Sequence, residues 1–465
     1  MDLFRRKAVE LPEQQHQLAR TLSWPHLVAL GVGAIVGTGI LTLIGVGADR
    51  AGPAVILSFA IAGAICACAA LAYAEMATMM PVSGSAYTYS YAVLGEIIAW
   101  VVGWSLLAEY TLVVATVAVG WSGYAVGFLE GLGVSLPDML SHGPNEAGWG
   151  INVPALVIVA AVAALLTAGT KESATINAVL VVVKMIALAL FVAVALPSFD
   201  PANLQPFSPF GFAKSLSSDG VERGVMAAAA IIFFAFYGFD AISTAAEEAK
   251  NPGRDLAIGI VGSMVICVVI YMVVAVAAVG AIPFTRIGDS PEPLALILRQ
   301  IGQPTIATIL AASAVIALPT VILAFLYGQS RIFFVMARDR LLPESLATVS
   351  SRGVPVRITV FTALVVMLFA GFLPIDAIAA LANAGTLTAF VAVAVCMLVM
   401  RRRAPDMPRP FRAPAATLVG IGAILGCLYL FISLPSRTQL WFLLWNLGGL
   451  AVYFLYARRH AARSA

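Results

Sequence analysis

LGVGAIVGTGILTLI, residues Leu30 to Ile44, is apolar enough for a bilayer interior, yet it holds Gly31, Gly33, Gly37 and Gly39. Each glycine weakens a helix interior by roughly 0.5–1 kcal/mol relative to alanine. In lipid, backbone amides stay unpaired only where protein buries them or a polar cavity meets them. Two arrangements meet both conditions. Gly33 and Gly37 form a GxxxG packing face, or the helix breaks at Gly37–Gly39 and offers its free N–H and C=O groups to a ligand. The rest of the chain favours the break.

Outward from this stretch, 61% of the 465 residues are hydrophobic and 11% charged, where soluble domains carry roughly 25% charge. Mean hydropathy is +0.96. This is the composition of a polytopic, all-α membrane protein. A net charge of +3 gives no reason to expect a nucleic-acid partner. Cys66, Cys68, Cys267, Cys396 and Cys427 all lie in apolar segments without zinc or disulfide spacing, and read as small buried hydrophobes. No metal or cofactor is expected. The residues before Trp24 are polar, so the first membrane helix is expected to direct insertion without a cleaved signal.

A spanning helix needs about 20 apolar residues. About twelve segments qualify, near 24–48, 53–79, 95–128, 152–169, 174–196, 222–247, 256–283, 305–335, 355–373, 376–400, 414–434 and 438–457. With the N-terminus in the cytoplasm, twenty of the 27 lysines and arginines fall on the inner side, six on the outer, and Lys184 inside a helix. The positive-inside bias therefore places both termini in the cytoplasm of a cell-membrane protein. The sixth segment is also interrupted, at Phe236-Tyr237-Gly238-Phe239-Asp240, and five helices separate its start from that of the first. Interrupted helices at matching places of two inverted halves point to the binding site of a secondary transporter. The expected division is a cytoplasmic tail (1–23), a ten-helix core (24–400) with repeats 24–196 and 222–400, a basic loop (401–413), helices eleven and twelve (414–457), and a second tail (458–465).

Several strings carry a family resemblance: GVGAIVGTGI around the first break, YAEMATMMPVSGSAYTYSYAVLGE (73–96), FFAFYGFDAISTAAEEAKNPGRDLAIGI (233–260), YGQSRIFFVMARDRLLP (327–343) and RRRAPDMPRPFRAP (401–414). The chain resembles the amino acid–polyamine–organocation superfamily, in particular the bacterial members of its cationic amino acid transporter branch. That resemblance implies a leucine-transporter-like core of five plus five inverted helices and transport of L-amino acids.

A zwitterionic amino acid presents a carboxylate and an ammonium. The half-helix that resumes near Thr38-Gly39-Ile40 offers free N–H groups to the carboxylate. Carbonyls ending the first half of helix six, around Ile232, Phe233 and Ala235, can accept from the ammonium. The resemblance places substrate contacts at the matching Ile35, Gly37, Thr38, Gly39, Ile40, Phe233, Phe234, Ala235 and Gly238. By the same match Phe234 is an aromatic gate, although a phenylalanine in an apolar run is equally packing.

Ionisable residues inside a membrane are costly and functional by default. Glu75 lies one turn from the inner end of helix two, within reach of water, and reads as structural. Glu109 is roughly 14 residues into helix three, about 21 Å deep and level with Thr38, and is a candidate for proton coupling. Asp240 follows the second break and either caps the next half-helix or handles the proton. Lys184, on helix five, is expected to replace sodium: the sodium-coupled relatives of this fold hold a cation between the broken first helix and helices five and eight. No catalytic pairing or metal-binding motif appears. The expected function is therefore proton-coupled uptake of cationic or small neutral amino acids, with an exchanger or a flux-free sensor as alternatives.

Overall fold

The computed structural model describes residues 5–6, 22–82, 84–144, 148–168, 174–288, 290–343 and 355–458. The expected tails 1–23 and 458–465 lie almost entirely outside them. The described residues are helical apart from loops and one short antiparallel hairpin, Ser215–Leu216 with Glu222–Arg223. Among the described residues nine helices are long and apolar enough to cross a membrane, and Trp24–Ile35, Val153–Thr167 and Val356–Phe372 are shorter apolar helices.

Helix one runs Trp24–Ile35, opens at Val36 and Gly37 into extended backbone, and resumes as Thr38–Leu41 and Leu43–Ala51. Helix six runs Val225–Ile232, tightens to a 3-10 turn at Phe233–Ala235, and resumes as Asp240–Thr244. The long helices between them are two (Val55–Met79), three (Glu96–Gly131), four (Val153–Thr167) and five (Ala174–Ala195), with short helices at Ser85–Val93 and Asp138–Ser141. After helix six come seven (Pro252–Ala281), eight (Pro304–Arg338), nine (Val356–Phe372) and ten (Ile375–Arg403). Eleven (Ala416–Ser433) and twelve (Ser436–Val452) follow the basic loop.

Helices one and six cross at the centre. Gly31 lies against Ile242, Gly39 against Ala235, Gly47 against Ile232, and Gly238 against Ala34. As numbers rise along one helix they fall along the other, so the two run antiparallel. Helices two and seven, three and eight, and four and nine also pack extensively on each other. Each of these pairs joins a helix to the one five places later.

Two glycines make the crossing possible. A Cβ on Gly39 would lie 2.3 Å from the Ala235 Cα, a backbone atom that cannot swing aside. Gly238 sits at φ +117°, which side chains rarely adopt, and meets the Ala34 backbone.

Candidate binding site at the paired helix breaks

The first break leaves donors open. The N–H groups of Thr38, Gly39 and Ile40 begin a new helix, and no side chain caps it. Among the described residues they have no hydrogen-bond partner. The hydroxyl oxygens of Thr38 and Thr42 are likewise buried without a partner. The carbonyls on the other side of the break are held by distant residues: Tyr271 donates its hydroxyl to Ile35 O at 2.8 Å, and Lys184 Nζ donates to Gly33 O at 3.0 Å. Lys184 also reaches Thr320 Oγ1 of helix eight at 3.5 Å and is only 4% exposed. Its ammonium thus ties helices five and eight to helix one, one turn before Gly37.

The second break is more fully satisfied. Asn383 Nδ2 of helix ten donates to Ala230 O at 2.8 Å and Ile231 O at 3.0 Å. Phe236 N donates to Phe233 O at 3.0 Å, so that candidate carbonyl is already engaged. The N–H of Gly238 donates to Asp240 Oδ1 at 3.1 Å, and Tyr110 of helix three donates its hydroxyl to Asp240 Oδ2 at 3.3 Å. Phe234 is buried, its ring 5.0 Å from that of Tyr237.

Helix eight closes the side. The space a side chain on Gly37 would enter is bordered by Val321 and Leu318, and Phe325 packs on Tyr110 with ring centroids 5.3 Å apart. All three helix-eight residues are apolar.

Glu109 is buried, but not at the depth expected. Gly120 is the residue of helix three that touches Thr38. Glu109 lies eleven residues before it, about 16 Å nearer the N-terminal end of helix three. Depth counted from a helix start assumes a helix that begins at the membrane edge; helix three has 36 residues and overshoots it. Glu109 instead sits against Gly385 of helix ten, and its nearest charged neighbour is Asp240. Neither carboxyl oxygen of Glu109 has a well-formed hydrogen bond or an ion pair among the described residues, and the Thr386 hydroxyl of helix ten is the polar group beside it.

Glu75 does not reach for water. It is buried and surrounded by Arg401 at the end of helix ten and by Arg409 and the Ala413 N–H of the loop that follows. Sequence reasoning also passed over Asn383, Tyr271 and Tyr110. The signal for Asn383 was present, a single amide in the apolar run of helix ten; nothing distinguished the two tyrosines.

The paired breaks, the antiparallel crossing and the buried ionisable groups are the geometry of a membrane permease. The amino acid permease family model matches residues 22–455. The chain belongs to the amino acid permease family. It is 43% identical to the branched-chain amino acid permease BcaP of Bacillus subtilis, over 99% of this chain and 98% of that protein. It is 40% identical to the methylthioribose transporter of the same organism, again over 99% and 98%. It is 37% identical to the vacuolar cationic amino acid transporter 4 of Arabidopsis thaliana, over 84% of this chain and 65% of that one. The permease is accordingly a multi-pass membrane protein of amino acid transport. Its family is one of transporters rather than enzymes.

Proposed function

We propose that this permease carries L-amino acids with small or branched apolar side chains into the cell, driven by protons, by alternating access around the two breaks. The observation behind this reading is the approach of Gly39 to Ala235, which sets the open N–H groups of helix one beside the end of the first half of helix six. A substrate carboxylate suits the donors of Thr38, Gly39 and Ile40, and its ammonium suits the carbonyls of Ile232 and Ala235. The side chain then extends past Gly37 towards Leu318 and Val321. Those apolar neighbours favour an aliphatic substrate over a cationic one, as does full-length likeness to a branched-chain permease.

Proton coupling is assigned to Glu109 and Asp240, which lie on the cytoplasmic side of the site. A buried carboxyl without a counter-charge favours its protonated form, and it can release that proton when water reaches it. Lys184 takes the place of sodium. Like unit charges 4 Å apart repel by ~4 kcal/mol at an effective dielectric of 20, enough to keep out a weakly bound cation. The topology that accompanies this reading has twelve crossings of the plasma membrane, two inverted repeats (24–196 and 222–400), and both termini in the cytoplasm.

Uptake into proteoliposomes tests it. Leucine, isoleucine and valine should accumulate when the outside is acidified, arginine should not compete, and choline should replace sodium without effect. Gly39→Ala should abolish leucine binding while Gly37→Ala, whose new Cβ would meet helix eight at an ordinary 3.6 Å, should not block folding or insertion. Normal leucine binding by Gly39→Ala removes the site assignment. Steep sodium dependence of the unaltered protein removes the role given to Lys184.

A further inference from the structure

At the cytoplasmic ends of helices ten and eleven lies a groove of about 550 Å³ lined by Leu398, Arg401, Arg402, Ala416, Leu418 and Ile421. Its volume is in the range of small-molecule sites, roughly 300–1,000 Å³. Leu398, Arg401 and Arg402 share one face of helix ten, three and four residues apart. Leu398 also packs against Gly420 of helix eleven and makes the floor.

The two arginines differ. Arg401 is committed to Glu75, at 2.7 Å and 2.6 Å, and to Ala413 O. Arg402 is exposed, and no hydrogen bond or ion pair engages it among the described residues. Arg409 shares the Glu75 carboxylate at 3.4 Å, so one negative charge already serves two positive ones. The mouth of the groove is left positive.

Below the mouth the lining turns apolar. Leu418 is 74% exposed, Ile421 45% and Leu425 62%. Spaced three and four residues apart, they form a stripe along helix eleven that runs from Arg402 towards the membrane interior. A soluble anion would use only the arginine; a phospholipid would use both, its phosphate at Arg402 and an acyl chain along the stripe. Basic pockets between helices on the cytoplasmic side are recognisable sites for anionic headgroups.

We infer that the groove between helices ten and eleven holds an anionic phospholipid of the inner leaflet. The inference rests on the inward placement of the basic loop and is independent of the substrate.

The experiment uses the purified full chain in detergent, with retained lipid read by native mass spectrometry after titration with phosphatidylglycerol or phosphatidylcholine. One arginine near a membrane surface contributes about 1 kcal/mol towards an anionic lipid, which is about a fivefold preference. The unaltered protein should retain phosphatidylglycerol over phosphatidylcholine by that factor, and Arg402→Glu should erase the preference. Arg412→Glu, an exposed arginine of the same loop outside the groove, should keep it. The inference is overturned if Arg402→Glu still discriminates, if Arg412→Glu loses as much, or if inorganic phosphate displaces the lipid.

Discussion

Two glutamates, each 1% exposed, lie in two regions that treat a buried carboxyl in opposite ways. At the C-terminal end of helix two, Glu75 accepts from Arg401 Nε at 2.7 Å, Arg401 Nη2 at 2.6 Å and the Ala413 N–H at 2.8 Å, with Arg409 Nε 3.4 Å away. Both oxygens are hydrogen-bonded. Arg409 in turn donates to Met400 O and Ala404 O, which closes the end of helix ten. In helix three, Glu109 has the Thr386 hydroxyl of helix ten beside it but no lysine or arginine partner among the described residues, and its charged neighbour is another carboxyl, Asp240. The first arrangement fixes a charge in place. The second leaves a carboxyl buried without a counter-charge. Burial alone therefore does not distinguish the two acids; the partners do.

The contrast sets the order of expected effects. Glu75→Ala should be the most damaging to stability, because it leaves Arg409 buried without its counter-charge. Removing one partner of a buried pair costs about 3–5 kcal/mol. The measurement is the thermal midpoint of the detergent-purified protein. A midpoint equal to that of the unaltered chain would place Glu75 with the dispensable surface pairs.

Lys184→Met comes next. It leaves Gly33 O buried without a donor, a loss of about 1–3 kcal/mol, and it removes the positive charge proposed to exclude sodium. A lower thermal midpoint should be accompanied by loss of uptake. If uptake survives in full, the tie from helix five to helix one is not needed for the transport cycle.

Glu109→Gln should have the smallest effect on stability, within about 1 kcal/mol, since no partner is lost and no charge is left behind. Its transport phenotype should nevertheless be severe. Leucine binding is expected to persist while accumulation under external acidification falls to simple equilibration. A variant that still concentrates leucine moves the proton to Asp240. Asn383→Ala gives a control between the two glutamates. It strips the donors from Ala230 O and Ile231 O, so binding and stability should both decline, by about 1–3 kcal/mol in stability, with the pH dependence of uptake unchanged.

Much of the architecture could be read along the chain. Apolar length marks a crossing because lipid admits only segments that bond their own backbone, and the helices fall where those segments fall. Gly37, Gly39 and Gly238 mark the interruptions because a missing Cβ is a local property that survives into any fold. What could not be read was who stands opposite whom. Glu75 and Arg401 are 326 residues apart in sequence, and Tyr271 and Ile35 are 236 apart. The level of Glu109 was misplaced for the same reason: position along a helix does not give depth until the neighbouring helix, here at Gly120 and Thr38, is known. The sequence by itself determined the membrane class, the helical segments and the two breaks, all consequences of short-range chemistry. Only the tertiary structure decided which buried carboxyl is paired with arginines and which is not, because desolvation depends on the atoms that replace water, and those come from distant parts of the chain.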